Sequence, residues 1–414
     1  MMVDVSVLDV LLYDEPIGTL TRVGGDRILF AFNDSYIADE NRPVLGLGFK
    51  DQLGELITAF KPTQTRVMPF FANLLPEGHL RTYLAERAGV NPEREFFLLW
   101  ILGRDLPGAI TIKPADGEAW PENTDAHDQR GDNHEDDHRE NALRFSLAGV
   151  QLKFSAVNEA SGGLTIPAKG VGGSWIVKLP SREFEGVPEN EFSMMMLAQL
   201  VGIDVPPIRL IDIDEIRNLP DGMETLNGQA FAIERFDRMP NGETAHIEDF
   251  AQIFGVYPEK KYKNASARNI ASVIGTEGGE ADIAEFIRRL TFNTLIGNAD
   301  MHLKNWSLIY PDRRHAALAP AYDFVSTIPY IPDNSAALNF SRTKRFDEYS
   351  EDELSHLAAK ALLPEKLVLD TARETVERFH EQWRKEKANL PLTAKIVGSI
   401  DQQLEIVPIA KGAS

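Results

Sequence analysis

The stretch IGNADMHLKNWSLIYPDRRHAALAPAYDF, at 296–324, gathers the residues best suited to chemistry. Asp300 lies five residues before Asn305, the D-x-x-x-x-N spacing of a kinase catalytic loop. In such a loop the carboxylate receives or orients a hydroxyl proton and the asparagine binds metal. A strand-like WSLIY, a PDRR turn and a second run AALAP then lead to Tyr322-Asp323-Phe324. A hairpin of this length returns Asp323 to the mouth of the same cleft, where its carboxylate and Asn305 can share a Mg²⁺ ion, a hard cation that prefers oxygen ligands. Each fragment alone is an ordinary loop or helix-cap pattern. The ordered set Asp300, Lys304, Asn305 and Asp323 is much more specific.

Phosphate chemistry also needs a cation. Lys178 ends the β-branched run SWIVKLP, as the strand lysine does in V-A-I-K sequences. Glu191, in the helix-like ENEFSMMMLAQ, is the expected partner, with Glu189 as competitor. FSLAGVQLKFSA reads as strand, turn, strand, with small residues Ser146, Ala148 and Gly149 at a bend that lets backbone N–H groups approach phosphate oxygens. Lys153 adds charge there. AIERFDR reads as a buried strand running into polar residues, a place where an interlobe hinge offers backbone groups of Glu234 and Phe236 to a base.

The elements that must hold these residues follow from the pattern. The first sixty residues alternate β-rich runs with turns, VSVLDVLLY, DEPIG, TLTRV, GGD and RILFAF, the form of antiparallel hairpins. LLPEGHLRTYLAERAGV reads as a helix with Pro76 and Glu77 in its first turn and Gly89 as its C-cap, and a second helix is expected near 93–102. Between 116 and 140, Asp and Glu occupy ten positions against Arg130 and Arg139, with almost no aliphatic residues. Such a segment cannot bury enough surface to order itself and reads as a linker or loop. Its His134 and His138 have i, i+4 spacing, which suits metal ligation but more often marks a hydrated polar loop. Beyond it come further strands, a Met-rich apolar helix whose Met194–Met196 stripe suits a core, and mainly helical sequence after Ala251.

Composition limits the alternatives. A chain of 414 residues suits two or three domains, since single cores stop growing near roughly 250–300 residues. With 43% hydrophobic and 26% charged residues and a mean hydropathy of −0.24, it should fold in water. The absence of Cys excludes disulfides, thiolate ligands and a Cys nucleophile. No basic leader and no apolar run near the roughly 20 residues of a membrane span are present, so a cytoplasmic protein with no membrane partner is expected. A net charge of −20 disfavours direct binding to duplex DNA, although RKEK at 384–387 could touch DNA beside a basic partner. A solvated helix face is the plainer reading of those four residues.

Taken together, FFANLLPEGHLR and LGRDLPGAI in the first part, and FSLAGVQLK, IVKLP, PENEF, GIDVPP, IERFDR, HIEDFAQ, IGNADMHLKN and APAYDF in the second, resemble the HipA family of toxin kinases from bacterial type II toxin–antitoxin pairs. The resemblance covers most of the chain. It implies ATP and Mg²⁺, with Asp300 as catalytic base, Asn305 and Asp323 as metal ligands and Lys178 on the phosphates. It assigns Ala148, Gly149, Val150, Gln151, Leu152 and Lys153 to a phosphate loop, and Glu234 and Phe236 to adenine. His302, Lys304 and Asn305 fall on the nucleotide side of the catalytic loop, with Tyr322 beside Asp323. It implies autophosphorylation at Ser146 as self-inactivation, and an aminoacyl-tRNA synthetase as the class of protein substrate. A small helix-turn-helix antitoxin, HipB-like, would supply the DNA contacts. The acidic segment has no counterpart in the family pattern, and Val325 stands where eukaryotic-type kinases have the Gly of D-F-G.

The expected architecture is α+β: a β-rich N-terminal domain with helices over 1–114, the acidic segment over 115–141, and a bilobal protein-kinase-like core. That core would divide into a β-rich lobe over 142–238 and a mainly helical lobe over 239–414. Two other functions stay open at this point: a phosphotransferase acting on a small alcohol, and a non-catalytic subunit that holds an antitoxin on its operator.

Overall fold

The computed structural model describes residues 6–115, 153–158, 163–165, 173–181, 183–219, 226–239 and 241–413. The acidic segment at 116–140, with its histidines, lies outside them.

The N-terminal part is built on an antiparallel meander of β1 (Val7–Leu12), β2 (Glu15–Val23) and β3 (Arg27–Phe32). β4 (Thr63–Gln64) and β5 (Ile110–Pro114) extend it to the order β4-β3-β2-β1-β5. Leu8, Val10 and Leu12 on one strand and Ile28, Phe30 and Phe32 on another are buried, the period of two that a half-covered sheet demands. The first reversal shares only Asp14 with DEPIG. It occurs at Tyr13 and Asp14, both left-handed (φ 53° and 65°), and Glu15 already belongs to β2. A two-residue loop with both φ positive matches the twist of paired strands, and aspartate tolerates that region. Gly25 and Asp26 repeat the arrangement at the next turn.

Short helix α1 (Asp34–Ala38) and helices α2 (Pro69–Ala72), α3 (Gly78–Arg87) and α4 (Glu95–Leu102) cover the sheet. α3 ends as read: left-handed Gly89 donates to Glu86 O at 3.0 Å and Val90 to Ala85 O at 2.9 Å. It begins later than read. Pro76 and Glu77 precede it, with Glu77 in the extended N-cap position and its side chain making no capping bond.

The second sheet has the order β10-β7-β6-β8-β11-β9. Its strands are β6 (Lys153–Asn158), β7 (Leu164–Thr165), β8 (Trp175–Lys178), β9 (Ile208–Asp212), β10 (Ile216–Arg217) and β11 (Gln229–Glu234). Helix α5 (Val187–Val201) packs on it through Met194, Met195, Leu197 and Val201, all fully buried, so most of the methionine stripe is core. The remainder is mainly helical: α6 (Phe250–Ile253), α7 (Ala267–Glu277), α8 (Glu280–Leu295), α9 (Glu351–Ala361), α10 (Glu365–Glu386) and α11 (Ala394–Ile406). Among these helices sits a small sheet of β12 (His246–Asp249), β13 (Ser307–Tyr310) and β14 (Ala317–Leu318). The result is an α+β protein: a β-rich N-terminal part, then a bilobal core with a helical second lobe. Among the described residues no helix is long and apolar enough to cross a membrane.

Candidate functional site

β8 delivers Lys178 to the cleft. Its Cα faces Phe231 on β11 and Lys153 on β6, so two lysines lie opposite each other on neighbouring strands. The Lys178 ammonium, almost wholly buried, donates to Glu191 Oε1 on α5 at 2.5 Å and also to Asp323 Oδ1. Burial by itself would lower the lysine's pKa, but Asp323 and Glu191 reverse this and raise it, so the ammonium stays charged. Glu191 rather than Glu189 is therefore the helix partner. Helical phase decides between them: Glu191 faces the sheet fully buried, whereas Glu189 is half-exposed.

Asp323 sits in the left-handed region at φ 60°. Its neighbours hold that turn. Phe324 is buried and stacks on Phe292 of α8 at 5.5 Å, while Tyr322 donates to the carbonyl of Lys304 at 3.0 Å and bonds Ser307. The hairpin of β13 and β14, with Leu308 opposite Leu318, brings this segment back beside Asp300–Asn305. Buried Asn298 links the two: its Oδ1 accepts from Asp300 N–H at 3.0 Å and its Nδ2 donates to Asp323 O at 3.4 Å.

Asp300 opens to solvent but accepts from Tyr262 OH at 2.6 Å. Crowding around the carboxyl raises its pKa, opposed by the Tyr262 bond and Lys261 and reinforced by Asp323 and Glu77. The Asn305 amide nitrogen donates to Asp300 O at 3.1 Å, so its amide oxygen is the end left to ligate a cation. His302 is buried against Tyr262, with Nδ1 unpartnered; desolvation depresses its pKa to about 3, so the ring is neutral at ordinary pH. Lys304, read as a nucleotide-side residue, points elsewhere. Its ammonium meets Glu77 Oε1 at 3.0 Å and the carbonyl of Asn73 at 2.9 Å, both from the N-terminal part.

Glu234 pairs with Trp175 across the sheet, and its N–H donates to Pro207 O at 2.9 Å. Phe236 tilts against Tyr322 at 5.8 Å, which places the segment after β11 beside the Asp323 turn. Ser146, Ala148, Gly149, Val150, Gln151 and Leu152 lie outside the described residues, and Lys153 is placed by its backbone alone.

Sequence reasoning missed Asn298, Tyr262 and Glu77: Tyr262 and Glu77 act through partners distant in the chain, and Asn298, two residues before Asp300, also reaches Asp323. It also missed that its motifs pair with one another. Asp105 of LGRDLPGAI binds Arg235 and Arg238 of IERFDR at 2.9 Å each, and Asp237 accepts from Gly108 N–H at 2.8 Å. Gly108, at φ 76°, lies so close to β12 that an added Cβ would stand 2.9 Å from Ile247 N and from His246 Nδ1. The recurrence of Asp and Arg in both motifs was the available signal.

This chain and its fold have counterparts among known proteins. Residues 8–113 match the model of the HipA N-terminal domain, and residues 145–383 match that of the HipA-like C-terminal domain. The chain belongs to the HipA family. It is 59% identical over 99% of its length, and 98% of the relative's, to a Sinorhizobium fredii protein named "Putative kinase Y4dM". It is 27% identical over 65% of each chain to the serine/threonine-protein kinase toxin HipA of Shewanella oneidensis. A HipA chain solved with HipB and operator DNA, from the same Shewanella species, superposes with a TM-score of 0.71 at 21% identity, covering 98% of this chain and all of that one.

Proposed function

We propose that this protein is an ATP- and Mg²⁺-dependent protein kinase that transfers phosphate to a Ser or Thr hydroxyl and acts as the toxin of a toxin–antitoxin pair. The observation that carries the reading is the buried Lys178 ammonium held between Glu191 and Asp323, with Asp300 and Asn305 tied to the same turn. The residues fit the cofactor. A charged lysine suits phosphate oxygens, and Asp323 with the amide oxygen of Asn305 provides two hard donors, leaving the remainder of a Mg²⁺ shell to phosphates and water. Bound Mg²⁺–ATP supplies the transferable phosphoryl group.

Each residue then has one task. Lys178 neutralises phosphate charge, and Glu191 keeps it aimed. Asp323 and Asn305 hold the cation. Asp300 accepts the proton of the acceptor hydroxyl, and the crowding that raises its pKa makes it a stronger base. Phe236 lies beside the Tyr322–Asp323 turn, which supports a place near adenine for Glu234 and Phe236, and 148–153 would form the phosphate loop. Most of the acceleration would come from positioning and electrostatics.

Family membership supports self-inactivation by phosphorylation of Ser146, a translation protein such as an aminoacyl-tRNA synthetase as target, and a HipB-like antitoxin as the partner through which DNA is reached. The deciding experiment is induction followed by phosphopeptide mass spectrometry, with Asp300→Asn and Asp323→Ala as controls. Phosphopeptides that appear only with the wild-type chain, together with loss of growth inhibition in both variants, are expected. No phosphopeptide specific to the wild-type chain, or toxicity that persists in both variants, would overturn the reading.

A further inference from the structure

We propose that Glu77, from the N-terminal part, is a positioning residue for the catalytic loop, so that the N-terminal part completes the phosphotransfer site. The proposal rests on the kinase reading above and extends it to a residue outside the kinase-like core.

Glu77 has one carboxylate and two lysine partners. Oε1 meets Lys304 Nζ at 3.0 Å and Oε2 meets Lys261 Nζ at 3.0 Å. Both partners lead to Asp300. Lys304 lies within the loop that runs from Asp300 to Asn305, and its carbonyl is held by Tyr322. Lys261 precedes Tyr262, whose hydroxyl donates to Asp300 at 2.6 Å, and the Lys261 carbonyl accepts from Leu303 N–H at 3.2 Å. A single side chain thus fixes the loop that carries the proposed base and the segment that carries the base's hydrogen-bond donor.

Two features set this apart from ordinary surface pairing. Glu77 occupies the N-cap of α3, where a carboxylate normally accepts first-turn N–H groups, yet it makes no such bond. The side chain has forgone its local partners for distant ones. The three charged groups are also largely withdrawn from water, with side-chain exposures of 33% for Glu77, 15% for Lys304 and 20% for Lys261. Without Glu77 the two ammonium groups would face each other without the carboxylate between them, and Lys304 would keep Asp249, 3.9 Å away, as its remaining ion-pair partner among the described residues. Such repulsion would move the loop, and displacements of about 1 Å can cost on the order of 10²-fold in rate.

The charged and titratable groups facing this cluster are Asp300, Asp323, His302, Lys261, Lys304, Asp249 and Tyr262. Glu77 stays ionised, its pKa near 2: burial opposes ionisation, but Lys304 and Lys261 outweigh it. Its carboxylate therefore holds both lysines at the pH of the assay, and its loss should lower kcat while leaving nucleotide affinity unchanged, a split that general unfolding would not produce.

The test uses the full chain with Glu77→Gln, Glu77→Asp, Lys304→Met and the double variant Glu77→Gln/Lys304→Met. Basal Mg²⁺–ATP hydrolysis, binding of a fluorescent ATP analogue and amide hydrogen exchange without nucleotide are measured. For Glu77→Gln we expect kcat to fall roughly 10- to 100-fold. Nucleotide affinity should hold, and exchange should rise at 257–264 and 300–305. Glu77→Asp should recover part of the rate, and the double variant should be no worse than the poorer single one. Wild-type kcat in Glu77→Gln, or additive losses in the double variant, would overturn the proposal. Should Glu77→Gln fold poorly, Glu77→Asp and Lys304→Met carry the same comparison. A wild-type chain that binds no nucleotide would instead remove the kinase reading, while hydrogen exchange would still report whether Glu77 holds the loop.

Discussion

Asp300 and Asp323 are joined through one buried side chain: Asn298 accepts from the N–H of the first and donates to the carbonyl of the second. Its Nδ2 also donates to Asn293 Oδ1 on α8 at 2.8 Å, so both acidic residues are referred to the helical core. The backbones of the two acidic residues are therefore tied to each other.

Asn298→Ala should leave the Asp300 N–H and the Asn293 amide oxygen without a partner. The expected cost is about 1–3 kcal/mol of stability. Catalytic rate should fall further than that stability loss explains, because the spacing of Asp300 and Asp323 is released. Thermal unfolding and ATP hydrolysis, measured on the same preparation, check both parts; a rate that only tracks the folded fraction would contradict the second.

Lys178→Met should be costly to the fold as well as to activity. Glu191 would remain fully buried with its cation gone, and breaking a buried pair on one side costs roughly 3–5 kcal/mol. Adding Glu191→Leu should restore much of the stability and none of the activity. Urea unfolding of the single and double variants reads this directly.

Glu248 predicts a pH dependence of stability. It is fully buried on β12, where it accepts from Leu47 N–H at 2.9 Å and from Tyr310 OH. Desolvation pushes its pKa up to about 8, well above that of an exposed glutamate. The folded state therefore binds a proton that the unfolded state has released, and stability falls as pH rises between about 4.5 and 8. Asp249, raised to about 6, contributes in the same direction over its lower part. Glu248→Gln keeps an acceptor oxygen but cannot ionise, so its melting temperature should fall less between pH 5 and pH 8. Equal slopes for the two proteins would count against this account.

Asp105→Ala should loosen the contact between the two family motifs. Asp105 serves both Arg235 and Arg238, and all three side chains are largely buried. Loss of one buried partner costs roughly 3–5 kcal/mol. Hydrogen exchange should rise around 105–110 and 235–238 before it rises in the helical lobe. Uniform destabilisation would show that the cluster does not couple these segments.

The residues proposed for chemistry stand out in the sequence because most of them lie in one local segment. Asp300 and Asn305 share one loop, and a hairpin of fixed length returns Asp323 to them. Lys178 was legible as a strand end, and Glu191 as a position on the next helix, though helical phase and burial were needed to prefer it to Glu189. Hairpins, helix ends and the methionine core followed from periodicity and from glycine at left-handed positions. The first turn was misplaced because its two left-handed residues, Tyr13 and Asp14, include no glycine to mark it.

What the sequence alone determined was the set of groups and their order: a lysine, an Asp–Asn loop, a second aspartate, and two N-terminal motifs of unassigned purpose. What only the tertiary structure decided was their partners. Nothing in LLPEGHLR says that Glu77 reaches Lys261 and Lys304, or in LGRDLPGAI that Asp105 meets Arg235 and Arg238. Local spacing is written along the chain, whereas ion pairs between segments hundreds of residues apart depend on how sheets and helices pack, and packing is a property of the whole fold.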